Sequence, residues 1–136
     1  TLFMADTRYR INSGCVFSLK YHLVWCSKYR RRVLDGEVAD DLRFLLIEKA
    51  EQIQVHIEAL EIMPDHVHLF VSTDPTDAPQ HLANQFKGYT SRLLREKYPH
   101  LRSRIPSLWS RSYYVGSVGQ VSEETVRQYI ESQKRS

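Results

Sequence analysis

Apolar and polar residues alternate through the first part of the chain. Phe17, Leu19, Tyr21, Leu23 and Trp25 take one parity, and Ser18, Lys20, His22 and Val24 take the other. Side chains of an extended backbone point alternately to two faces, so Cys15 to Cys26 reads as one strand with one buried face. From Glu37 to about Gln54 the step changes to three and four, through Val38, Leu42, Leu45, Leu46, Ala50 and Ile53, which predicts an amphipathic helix. Alternation returns from Val55 to Met63, Pro64-Asp65 marks a tight turn, and His66 to Ser72 forms a third strand. Pro79 suits the first turn of a second helix, whose apolar stripe is Leu82, Phe86, Tyr89 and Leu93. Pro99 to Pro106 reads as a basic loop and Ser112 to Ser117 as a fourth strand. Ser122 suits an N-cap, and Glu123 and Glu124 suit the positive end of a last helix running to about Lys134. The order β-α-β-β-α-β-α predicts an α+β fold: a ferredoxin-like, RRM-like βαββαβ antiparallel sheet with both crossover helices on one face, and an extra C-terminal helix. Polar residues 1–13 read as a flexible N-terminal arm and residues 14–136 as a single domain.

Composition narrows the picture only a little. A length of 136 residues suits one core, and 42% apolar residues is too rich for a disordered chain. The net charge of +3 excludes a histone-like tail but leaves nucleic-acid binding open, because the placement of charge matters more than its sum. Cys15 and Cys26 lie about 35 Å apart if they share one strand, far beyond disulfide reach. They read as reduced thiols of a cytoplasmic protein. No apolar stretch approaches the ~18 residues that would span a membrane.

The sharpest local feature is Pro64-Asp65-His66-Val67-His68-Leu69-Phe70. Residues two apart in a strand share a face, so His66 and His68 stand together with Phe70. Val67, Leu69 and Val71 form an apolar opposite face that must meet the helices, which puts the histidines on the open side. Two imidazoles so spaced can converge on a transition-metal or manganese ion; two structural histidines on a polar face are the alternative. On the last helix Tyr129 and Gln133 are four apart, hence one above the other, beside the apolar stripe Val126 and Ile130. A carboxamide oxygen can complete a metal site, and a phenol can act as a nucleophile; a half-buried Tyr with an exposed Gln is the alternative. His22 shares a strand face with Lys20 and suits a supporting position behind the histidine pair better than a ligand position.

A third feature is the interleaving of cations and aromatics. Lys28, Arg30, Arg31 and Arg32 follow the first strand, Lys87, Arg92 and Arg95 lie near the exposed side of the second helix, and Arg102, Arg104 and Arg111 precede the fourth strand. Tyr29, Tyr98, Trp109, Tyr113 and Tyr114 are set among them. Cations neutralise phosphates and aromatic faces stack on unpaired bases, whereas an ordinary solvated surface needs no aromatics. Lys28, Arg30, Arg31, Lys87 and Arg92 are the candidate nucleic-acid contacts.

In combination these segments resemble the HUH single-tyrosine transposases of small bacterial insertion sequences, the TnpA type. The residues that carry the likeness are Tyr21-His22-Leu23-Val24-Trp25 with Lys28-Tyr29-Arg30, then Met63 to His68, Trp109, Ser112 to Gly119, and Tyr129-Ile130-Glu131-Ser132-Gln133. The resemblance implies that His66, His68 and Gln133 hold one Mg²⁺ or Mn²⁺ ion and that Tyr129 attacks a phosphodiester of single-stranded DNA, leaving a 5′-phosphotyrosine and a free 3′-OH. It implies DNA hairpins at element ends as partners and a homodimer, in which the tyrosine helix of one subunit can complete the histidine site of the other across a flexible Gly116 to Gly119 connection. Three rival readings remain open on the residues alone. A host-adopted relative nicking repeated palindromes would share the chemistry. A non-catalytic single-strand nucleic-acid-binding module would want aromatics on the central strands, where only Phe70 stands. A histidine-triad nucleotide hydrolase would want histidine in place of Phe70.

Overall fold

The computed structural model describes residues 10–12, 15–17, 19–74, 77–103, 105–117 and 123–133. A short hairpin, β1 (Arg10–Asn12) and β2 (Cys15–Phe17), forms a two-stranded sheet of its own. The main sheet comprises β3 (Leu19–Cys26), β4 (His56–Met63), β5 (His66–Thr73) and β6 (Tyr114–Ser117). Its order is β4-β5-β3-β6 with every neighbour antiparallel. Two helices, α1 (Gly36–Gln52) and α2 (Pro79–Lys97), connect β3 to β4 and β5 to β6. A short α3 (His100–Ser103) follows, and α4 (Glu123–Ser132) ends the described chain. This is the βαββαβ arrangement expected from the pattern.

The core lies between the sheet and the α1–α2 layer. Leu23 and Trp25 of β3 and Val67, Leu69 and Val71 of β5 are fully buried against Leu42 and Leu46 of α1 and Leu82 and Phe86 of α2. Each pair of directly opposed residues shares a face, so the register also defines the other side. His22 faces Phe70, Val24 faces His68 and Cys26 faces His66. Glu61 and Met63 of β4 and Tyr114 of β6 flank this row. Val24 and Cys26 are nevertheless wholly inaccessible; α4 packs on β3, and its Val126 is buried.

Several local expectations are corrected. Cys15–Phe17 and Leu19–Cys26 belong to two different sheets, and Arg10–Asn12, within the expected arm, pair with β2. Alternation marks an extended backbone but not its partner. Residues 1–9, 13 and 14 lie outside the described residues, as do Ser122 and Lys134. The buried stripe of α2 is Leu82, Ala83, Phe86, Thr90 and Leu94, one position round the helix from Tyr89 and Leu93, which stay half exposed. Tyr89 is turned outward to Glu48 and Gln52 of α1. The basic loop holds α3, whose Leu101 is buried along with Ile105.

Burial separates two phenylalanines in a way that can be measured. Phe86 is 0% exposed and Phe44 is 64% exposed. Phe86→Ala is expected to destabilise the fold by about 3–5 kcal/mol through lost transfer energy and a residual cavity, whereas Phe44→Ala changes stability by less than ~0.5 kcal/mol. Urea midpoints of the two variants check this.

Candidate active site

Arg30 ties three elements together. It follows β3 on a single 3-10 turn, Lys28–Arg30, where Tyr29 and Arg30 both adopt left-handed backbone, with φ of 58° and 51°. Its Nε donates to Asp65 Oδ2 at 3.0 Å, and an Nη lies 2.8 Å from the same oxygen. The other Nη donates to the Ile130 carbonyl of α4 at 3.3 Å and lies 3.9 Å from Glu131. Asp65 sits in the β4–β5 turn, so its second oxygen meets His66 Nδ1 at 2.7 Å. Burial alone would raise the Asp65 carboxyl, but the His66 and Arg30 hydrogen bonds outweigh it and hold it below the ordinary carboxylate range. An ionised Asp65 accepts from Nδ1–H, which leaves the lone pair of His66 on Nε2.

His68 stands beside it, with ring centroids 5.0 Å apart. Its Nδ1 lies 3.2 Å from His22 Nε2. Burial, reinforced by the neighbouring His66 and His22 charges, pushes the His68 imidazole down to about 4, so it is neutral at ordinary pH. His22 thus takes the supporting position expected of it.

On α4 the phenol and the carboxamide share a hydroxyl network. Ser112 Oγ is 3.1 Å from the Tyr129 hydroxyl and donates to Gln133 Oε1 at 2.6 Å. Ser110 Oγ donates to the same oxygen at 2.8 Å. Gln133 is therefore buried, not exposed. Burial pushes the Tyr129 hydroxyl up to about 12, opposed by the Ser112 hydrogen bond, while the nearby Cys26 thiol raises it further. Cys26 faces His66 across the β3–β5 ladder, and α4, which carries the phenol, packs on β3. The structure brings α4 onto its own chain's sheet, with Tyr129 and Gln133 on one hydroxyl network and His66 and His68 on the adjoining strand. The Gln133 oxygen is engaged by the two serines, and no group of three or more His, Cys, Asp or Glu side chains surrounds the histidine pair among the described residues.

The predicted DNA contacts divide. Arg31 is exposed, and so is Arg92, which lies 3.7 Å from Glu96. Lys28 is half buried, its ammonium 5.1 Å over the Tyr29 ring. Arg30 and Lys87 are not surface cations. Lys87 donates to the carbonyls of Ser110 at 2.7 Å, Arg111 at 3.3 Å and Ser112 at 3.1 Å, and burial pushes its ammonium down to about 8. It holds in place the segment before β6 that carries both serines. Helical spacing identifies a face but not the loop packed against it, which is why Lys87 reads as exposed in the sequence. Ser110 and Ser112 carry no sequence signal as site residues. Asp65 carries one, its adjacency to His66.

Residues 15–133 match the model of the IS200-like transposases, and the chain belongs to that family. It is 40% identical to the ISDra2 transposase TnpA of Deinococcus radiodurans over 122 residues, 88% of this chain and 87% of that one. It is 29% identical to the IS200 transposase of Salmonella typhimurium over 119 residues, covering 86% of this chain and 78% of that one. Among solved structures it resembles the crystal structure of a candidate transposase from Deinococcus radiodurans R1, with a TM-score of 0.84 and 38% identity over 93% of this chain and 99% of that one. It also shares the fold of a REP-associated tyrosine transposase bound to a REP hairpin, with a TM-score of 0.56 and 13% identity over 83% of this chain and 62% of that one. Among the described residues no helix is long and apolar enough to cross a membrane.

Proposed function

We propose that this transposase cleaves and rejoins single-stranded DNA by transesterification on Tyr129, with one divalent ion, Mg²⁺ or Mn²⁺, between His66 and His68. The observation that carries this reading is the Arg30 bridge. One guanidinium holds both the carboxylate that orients His66 and the backbone of α4 one residue from Tyr129. A structural histidine pair has no need of a tyrosine helix fixed to its orienting carboxylate.

The residues suit such an ion. Carboxylate-backed imidazole is a common metal-ligand arrangement, and two nitrogens with an amide oxygen suit Mn²⁺ better than Mg²⁺. His68 serves as a ligand through Nε2 when its Nδ1–H donates to His22, which makes His22 the group that selects the tautomer. Gln133 would join the set by giving up the two serine hydroxyls its oxygen now accepts from. When bound, the ion polarises the scissile phosphate and stabilises the charge that builds there. The Tyr129 oxygen forms a bond to phosphorus, the bond from phosphorus to the 3′ oxygen breaks, and the phenol's proton ends on the released 3′-OH. One phosphodiester is exchanged for another, so a different 3′-OH can reverse the step without ATP. DNA hairpins as substrate and a homodimer as the working unit complete the proposal; the REP-hairpin complex of the structural neighbour is in keeping with the first.

The test is incubation with single-stranded and duplex DNA carrying candidate hairpins, with Mg²⁺, Mn²⁺ or EDTA. A covalent adduct on the 5′ end of the cut is expected with single strands and a metal ion only. An undiminished adduct in EDTA removes the ion from the reading, and equal reaction of duplex removes the single strand.

A further inference from the structure

Three arginines line a cleft of about 540 Å³, together with Tyr29, Val33, His100 and Ile105. We infer that this cleft binds one unpaired nucleotide of a single-stranded DNA, its base stacked on Tyr29 and its flanking phosphates on Arg31 and Arg32. The inference deepens the proposed function and rests on single-stranded DNA being the substrate.

Backbone conformation supplies the first argument. A non-glycine residue at positive φ costs on the order of 1 kcal/mol or more and persists where surrounding contacts or function require it. Two occur in succession, at Tyr29 and Arg30. The strain at Arg30 is offset by its contacts with Asp65 and the Ile130 carbonyl. Among the described residues Tyr29 has no such compensation. The residue is 46% exposed, and the contact the structure shows for its ring is the Lys28 ammonium. The chain therefore holds a large aromatic surface in water at a strained position.

Charge supplies the second argument. Arg31 and Arg32 are exposed, and neither has a carboxylate partner among the described residues. Unpaired guanidiniums repel one another and favour a polyanion, while an exposed aromatic among them favours a flat, uncharged ring. An unpaired nucleotide offers both within one repeat, and base–aromatic stacking contributes without regard to sequence. A phosphopeptide would use the arginines but leave the tyrosine face idle. Location agrees: the cleft shares Arg30 with the Asp65–His66 pair of the candidate site.

The test uses the full chain and a fluorescein-labelled oligothymidylate about 20 nucleotides long, followed by anisotropy across a salt series. Tyr29→Gly removes the ring yet suits the left-handed backbone, so the fold is expected to keep or raise its melting temperature. Affinity is expected to fall about tenfold with the salt slope unchanged, and Tyr29→Phe to bind like the parent. Arg31→Ala and Arg32→Ala are each expected to reduce the salt slope by about 0.7. A strand bearing 5-iododeoxyuridine provides a variant-free measurement, with the photocrosslink expected on Tyr29. Binding by Tyr29→Gly within twofold of the parent, or a crosslink confined to Tyr113 or Tyr114, overturns the inference. The covalent-adduct assay separates the two readings: adduct formation with Tyr29 dispensable for binding removes only the cleft, and Tyr29-dependent binding without an adduct removes only the chemistry.

Discussion

Tyr129→Phe is expected to abolish the covalent DNA adduct, by roughly 10⁴-fold or more, while leaving hairpin binding within a few-fold of the parent. The change removes one oxygen from a ring whose neighbours otherwise persist. The ring keeps its packing beside Tyr114 at 6.0 Å. Ser112 loses one partner but still donates to Gln133, so the network loosens without leaving a buried carbonyl or carboxylate unpaired, and stability should change by about 1 kcal/mol or less. Gel electrophoresis of denatured protein–DNA mixtures reads the adduct, and mobility shift reads binding. Retained cleavage would assign the nucleophile to another group. Parallel loss of binding would make the hydroxyl a structural element, with Ser112 as its partner.

Not every part of this arrangement is legible in the sequence. The histidine face is, because a period of two leaves one parity of β5 wholly apolar and so forces His66 and His68 to the other side. The pairing of Tyr129 with Gln133 on one helical face is legible for the same geometric reason. What joins the two sets is not. Arg30 belongs to a run of four cations within five residues, Lys28 to Arg32, and spacing cannot tell which of them turns inward. Two successive left-handed residues make that choice, and they occur at Tyr and Arg, where no glycine announces them. Lys87 fails for a related reason. A lysine one turn from the buried stripe is exposed unless a loop arrives to use its ammonium, and here the segment Ser110 to Ser112 does so. The displaced α2 stripe reflects packing against α1, whose Glu48 draws the Tyr89 hydroxyl outward. Propensity and period describe one element at a time; the misplaced residues are those whose position is decided by a second element.

His66→Ala and His68→Ala are each expected to weaken Mn²⁺ binding by about 100-fold or more, and Asp65→Asn by about 10–100-fold, read by electron paramagnetic resonance on the protein without DNA. The order follows from the contacts. On the proposed reading either alanine removes a donor nitrogen outright. Asp65→Asn leaves both rings but exchanges a carboxylate acceptor, which fixes Nδ1–H on His66, for an amide that can present its NH₂ instead and turn the lone pair away from Nε2. The same substitution cuts the charge that holds Arg30, so α4 loses part of its tether at Ile130. Asp65→Asn therefore lowers adduct formation by more than the loss of Mn²⁺ affinity accounts for, even when the ion is supplied at saturation. Arg30→Ala separates the two effects, because it removes the tether and leaves the carboxylate on His66: its Mn²⁺ affinity stays within a few-fold of the parent while its adduct rate at saturating ion falls. Equal loss of affinity in Arg30→Ala and Asp65→Asn would show that the guanidinium serves the histidine alone. Weakened DNA binding with an unchanged rate would return Arg30 to the role of a phosphate contact.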